Sequence, residues 1–145
     1  MGFLSFFSFG SHEKEDAIRA AEAARHASQS LDIDVSIAAH ENWLTRLETY
    51  VAGHSEEHLH ADNIACDDQC ALGKWIYSDG KRYLGSYAAF EDLRATHKMF
   101  HFKASSIVSL SQANKREEAE QELANDLHKL SEKIKRRLLD LKSVD

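Results

Sequence analysis

The sequence predicts an all-α protein: an antiparallel four-helix bundle with an additional N-terminal helix and a short helix carrying Cys70. Three observations point there. Proline is absent and glycine occurs only six times in 145 residues, so little in the chain breaks a helix. Apolar residues recur at three- and four-residue steps, which places them along one helical face. The breaks between these stretches are short, and short connections join antiparallel helices. A chain of 145 residues can bury one good core and is short for two, so residues 1–145 are expected to form a single helical domain.

The elements follow in order. The opening "MGFLSFFSFG" is apolar and aromatic but far below the roughly 20 residues that span a bilayer. It has no basic region of the kind that begins a secretion signal, and Phe6 stands where a myristoylation pattern requires Ser or Thr. An aromatic tail folded on the body or on a partner subunit is the first reading, and contact with a membrane surface the second. Ser11 can cap a helix over about 12–30, with Glu13, Glu15 and Asp16 favouring its positive end. "LDIDV" interrupts, and Asp34 can cap a second helix from Val35 to Ala52, ended by Gly53. "HSEEHLHADNIACDDQ" has no clear period and reads as a loop with a short helical turn, while "CALGKWIYSDG" reads as a short helix stopped by Gly80. A long helix is predicted from Ser86 to Ala113. A last helix, over about 115–141, carries Leu123, Leu127, Leu130, Ile134, Leu138 and Leu141 at near-heptad steps.

The chemistry is concentrated in a few histidines. His97 and His101 are four residues apart, so both rings leave one face of the predicted helix. That face is shared with Phe90, Leu93, Ile107, Val108 and Leu110 and therefore points inward. His40 aligns in the same way with Ile37, Trp43, Leu44, Leu47 and Val51. A neutral buried imidazole still needs partners for its ring nitrogens, and three in one small bundle are costly unless something binds them. Cys70, opening the short helix, supplies a fourth donor. Three imidazoles and one sulfur suit zinc, which accepts mixed ligands in a tetrahedron.

Three motifs, "HENW" at 40–43, "CALGKW" at 70–75 and "HKMFH" at 97–101, occur in one order, and with them the chain resembles the chemoreceptor zinc-binding (CZB) domains of bacterial signalling proteins. The likeness extends over about 33–110, which would be the zinc-binding core. It implies that His40, Cys70, His97 and His101 coordinate one Zn2+, and that Trp43, Leu72, Gly73 and Trp75 pack around it. Gly73 would let the Cys70 helix approach its neighbour, and the two tryptophans would wall the metal from water. In the family such domains accompany chemotaxis receptor modules or cyclic-di-GMP synthases, and some members react with hypochlorous acid through the zinc-bound cysteine.

Several positions admit competing readings. Cys66, Cys70, His97 and His101 could form a Cys2His2 site without His40. His54, His58 and His60 could hold a second metal, although a solvated loop accounts for them more simply. Asp67 and Asp68 could orient a histidine N–H or cap the Cys70 helix. His12, His26 and His128 fall in polar surroundings and receive no role. A shell of four protein ligands leaves no open position for water or substrate, so no enzyme is expected. Two functions remain: a regulatory sensor answering to zinc level or to cysteine oxidation, with output through a partner protein, or a structural, zinc-stapled interaction module. With short flanks around the core, the signal is expected to pass to a partner chain of chemoreceptor or cyclic-di-GMP enzyme type. The leucine ladder of the last helix suggests a homodimer. A net charge of −6 argues against nucleic acid as a partner. Two cysteines are too few for a disulfide scaffold, which fits a reducing cytoplasmic setting.

Overall fold

In the computed structural model, the backbone is described over residues 2–142 and the side chains over residues 13–142. Every regular element among the described residues is helical. Helix α1 (Gly2–Gln29) begins well before Ser11, which is therefore interior and not a cap. Gly10 alone costs a helix only about 1 kcal/mol, too little to end it. The proposed docking of the N-terminal aromatics concerns side chains outside the described residues. Residues 13–22 are exposed, and α1 joins the core through Ala24, Ala27 and Ser28 near its end.

Helix α2 (Ile33–Val51) starts two residues earlier than expected because Asp32, not Asp34, is its cap. The Asp32 carboxylate accepts the Val35 N–H at 3.0 Å, satisfying one of the unpaired donors of the first turn. Asp34 instead pairs with Lys142 at 3.0 Å. Gly53 follows the helix with a positive φ of 80°, the backbone that favours glycine.

The crossover between residues 52 and 87 holds short pieces: α3 (Ala61–Ile64), α4 (Ala71–Trp75), a π-helical turn (Ile76–Gly80) and α5 (Lys81–Leu84). Gly80 is not where the helix stops: the break is at Ser78, with non-helical φ −123° and ψ −105°, and helical turns resume to Leu84. What Gly80 supplies is space, since a Cβ there would lie 2.8 Å from Phe90 and 3.0 Å from Trp75. Helix α6 (Ala88–Gln112) follows, then a turn in which Asn114 takes φ 61°. Helix α7 (Arg116–Gln121), a π-helical stretch (Glu122–Leu127) and α8 (His128–Lys142) continue without a gap. The expected ladder is buried at Leu123, Leu127, Ile134, Leu138 and Leu141, with Leu130 half-buried.

Ion pairs fix the directions of the rods. Glu48, Glu41 and Asp34 of α2 meet His128, Lys135 and Lys142 of α8 at 3.2, 3.3 and 3.0 Å. Helix α8 is therefore antiparallel to α2. The Lys103–Asp126 and Arg137–Asp92 pairs, at 3.3 and 2.6 Å, set it antiparallel to α6 as well. Helices α2 and α6 consequently run the same way, with His40 beside His97 and Tyr50 bonded to Gln112 at 3.0 Å. Each exposed pair stabilises the fold little. Stability comes from the interior, where Leu47, Ile107, Val108, Leu127 and Leu138 are fully enclosed. Two parallel neighbours need a long return connection, and this one brings Cys70 back across the bundle. No helix among the described residues is long and apolar enough to cross a membrane.

Candidate metal centre

The two parallel helices place three imidazoles side by side. His40 comes from α2 and His97 and His101 from consecutive turns of α6, with exposures of 4, 0 and 6 %. Ring centroids are 5.1 Å apart for His40 and His97, and 4.5 Å for His97 and His101. The sulfur of Cys70 closes the group from the crossover, 3.3 Å from Nε2 of His97 and 3.6 Å from Nε2 of His101. The two Nε2 atoms are 3.1 Å apart. One ligand atom from each of the four residues lies within 4.8 Å of all the others. Ligand atoms of a tetrahedral zinc, at its usual bond lengths, stand roughly 3.3–3.6 Å apart, so the atoms of Cys70, His97 and His101, at 3.1, 3.3 and 3.6 Å, already have close to the spacing of an ion's ligands.

Two tautomers are set by backbone carbonyls. Nδ1–H of His40 donates to Ser36 O at 2.8 Å, and Nδ1–H of His101 donates to Ile64 O at 2.8 Å. Each ring therefore turns an Nε2 lone pair away from its carbonyl, as carbonyl-anchored metal-ligating histidines do. The Nδ1 of His97 is buried without a partner. Burial, then the neighbouring imidazoles of His101 and His40, lowers the His97 pKa to about 2. Burial also lowers those of His40 and His101, against the opposing pull of their carbonyl bonds. Burial raises the Cys70 thiol above its ordinary value, although the N–H groups of Gly73 and Leu72 favour its thiolate. The Nε2 lone pairs of His40 and His101, left free by those carbonyl bonds, belong to the atoms of this group. A divalent cation accepts those lone pairs and converts the thiol to a thiolate. The donor set therefore fits zinc.

The structure separates the competing readings of the surroundings. Cys66 is exposed, its S–H donating to Asp62 O at 3.4 Å, and it lies outside the group. His54, His58 and His60 are exposed and form no ligand group among the described residues. Asp67 and Asp68 neither orient a histidine nor cap α4. The cap is Cys70, whose sulfur accepts the Gly73 N–H at 3.3 Å. Asp67 accepts from Tyr77, and Asp68 from Gln69. Gly73 is required for a close approach, but to the incoming loop: a Cβ would lie 1.8 Å from Asp67 O. Trp75 anchors α4 to the end of α1, its Nε1–H reaching Ala27 O at 3.1 Å and Ser30 Oγ at 3.0 Å. Trp43 is half-buried beneath the Arg46 guanidinium, 3.9 Å from its ring. Phe100 packs on the cluster instead, 5.2 Å from His40 and 5.9 Å from His101. Of the residues that support the donors, Ser36 carries a signal in its spacing, one turn before His40, and Phe100 lies within the HKMFH motif, whereas Ile64 carries none.

The family model for the chemoreceptor zinc-binding domain matches residues 40–108. No curated protein and no solved structure matches the chain. The matched segment opens on His40 and encloses Cys70, His97 and His101. Residues 40–108 are thus a chemoreceptor zinc-binding domain.

Proposed function

We propose that this chain is a regulatory zinc sensor in which His40, Cys70, His97 and His101 together coordinate one zinc ion. The convergence of three buried imidazoles on the Cys70 sulfur carries the reading. With the shell filled by protein, the ion keeps no position for substrate, so its role is regulatory and not catalytic. The stimulus is a change in zinc level or the oxidation of Cys70. A zinc-bound thiolate is nucleophilic, and Cys70 is only partly buried. Hypochlorous acid would take it to the sulfenic acid with release of chloride, weakening the site by one ligand. The crossover segment, freed from the ion, would then carry the signal to a partner chain of chemoreceptor or cyclic-di-GMP enzyme type in the cytoplasm. Homodimerisation is part of this proposal.

A purely structural staple is the rival function. The enclosed contacts of Leu47, Ile107, Leu127 and Leu138 lie outside the ligand set, which favours the sensor because the bundle has a core of its own. Zinc content by native mass spectrometry, combined with thermal unfolding before and after chelation, tests both. The sensor predicts one zinc per chain and a metal-free protein that stays folded, with changes confined to the crossover. Complete unfolding on chelation would favour the staple.

A further inference from the structure

Asp67 stands three residues before Cys70 and is held from two directions. Its backbone carbonyl rests against Gly73 with no room for a Cβ. Its carboxylate accepts the Tyr77 hydroxyl hydrogen in a short contact. The Arg94 guanidinium lies beside the same hydroxyl and is fixed by Glu91 through bonds of 3.0 and 2.9 Å from Nε. The chain of contacts thus runs from the loop, through Tyr77, to α6. Arg94 precedes His97 by three residues, so the contacts end on the helix that carries two of the three imidazoles.

These contacts do not orient the imidazoles. His40 and His101 take their orientation from Ser36 and Ile64, and Nδ1 of His97 has no partner. What the contacts span is the gap that must widen when Cys70 leaves. His40, His97 and His101 sit on long helices fixed by the core, whereas Cys70 is borne by a loop and the five-residue α4. Separation of Cys70 from His97 and His101 therefore requires the 65–70 segment to move, and Asp67 is its tether.

We propose that Tyr77 and Arg94 form a latch on Asp67 that sets how fast the Cys70 segment parts from α6, and hence how fast zinc is released. Tyr77 and Arg94 are positioning residues, touching no ligand atom. The inference rests on the zinc-coordination reading above. The latch is on the surface, with Tyr77 40 % exposed. Water can replace the phenol once the contact breaks, so the effect is modest: roughly three- to tenfold in rate, the scale of an ordinary net hydrogen bond and below that of a buried bond to a charged group.

The test uses the full chain, loaded with zinc and mixed with excess chelating dye. Tyr77→Phe keeps the ring and removes only the hydroxyl. It is expected to keep one zinc per chain and to release it roughly three- to tenfold faster. In an Asp67→Ala background the same substitution should have no further effect, because the acceptor has gone. Hydrogen exchange of the metal-free chain supplies a second readout: amides of residues 65–70 should exchange faster in Tyr77→Phe, and those of α6 should be unchanged. A release rate equal to that of the unsubstituted chain, or a Tyr77→Phe effect that persists without the Asp67 carboxylate, overturns the latch. Should the unsubstituted chain hold no zinc, the coordination reading fails by itself, and exchange in the 65–70 segment then decides the latch.

Discussion

The four metal donors divide into two regions built on different principles. His40, His97 and His101 project from α2 and α6, parallel rods whose spacing is dictated by side chains such as Leu47, Leu93 and Ile107 that are almost wholly enclosed. Cys70 comes from a crossover of short helical pieces, held by the Asp67–Tyr77 contact, the Trp75 anchor on α1 and the close fit at Gly73. The first region has its geometry before any ion arrives. The second enters the core through Leu72, Trp75 and Ile76, but its 65–70 stretch buries no side chain, which is the character of segments that open locally. The difference indicates where a change in occupancy would be felt: the histidines stay and the cysteine segment moves.

The strongest way to break this comparison is to damage the rigid region. Leu127 is fully enclosed, and Leu127→Ala should destabilise the metal-free protein by about 2–5 kcal/mol, measured by denaturant unfolding. Cys70→Ala should lower that same stability by only about 1 kcal/mol, the usual cost of losing one helix cap. If the two substitutions destabilised the metal-free chain equally, the regions would be one cooperative unit and the distinction would fall.

The next largest effect separates the regions in the opposite sense. Cys70→Ala removes the one sulfur donor, and zinc affinity should fall by roughly a hundredfold or more, the scale on which metal sites respond to altered ligation. Competition against a chelator of known affinity gives the number. Leu127→Ala, assayed while still folded, should leave zinc affinity within about threefold, as for a distant and independent site.

Protons sharpen the comparison further. Burial holds the three histidine pKa values below their ordinary 6.5, so near neutral pH the rings are already unprotonated and give up nothing when a metal binds. Burial raises the Cys70 thiol above its ordinary 9.0, so that group must lose its proton. Between about pH 6.5 and 9, zinc binding should therefore release about one proton. Affinity should weaken about tenfold for each pH unit lowered. Calorimetry in buffers of different ionisation enthalpy counts the protons. A count near zero would mean that Cys70 is already a thiolate, and a count above two would mean that the histidines titrate higher than their burial implies.

The rigid region was also the legible one. Helical periodicity put His40, His97 and His101 on the core faces of their helices, and the same pattern gave the ladder from Leu123 to Leu141, because burial on a long helix repeats with its turn. The crossover was read less well. Gly80 looked like a stop and is a point of close approach to Phe90 and Trp75. Trp75 looked like a wall for the metal and is a fastening to Ala27 and Ser30. These roles depend on contacts between residues distant in sequence, which leave no period to detect. The carbonyl of Ile64 on His101 is the plainest case, since a backbone acceptor carries no residue-type signature.

The smallest expected effect concerns Cys66, four residues before Cys70. By spacing it could be a ligand, yet its thiol is exposed and bonded to Asp62 O, within its own short turn. To reach the ion it would have to displace His40, whose Nδ1 is bonded to Ser36 and whose ring is held against Phe100. Cys66→Ser keeps the size and the donor, so zinc content by mass spectrometry should remain one per chain, with affinity changed less than about twofold, as for a surface substitution. Equal zinc loss from the Cys66 and Cys70 variants would mean that two sulfurs share the ion. The rigid region would then supply only two donors, and the contrast between a fixed histidine frame and a single movable cysteine would have to be redrawn with the crossover as the principal holder of the metal.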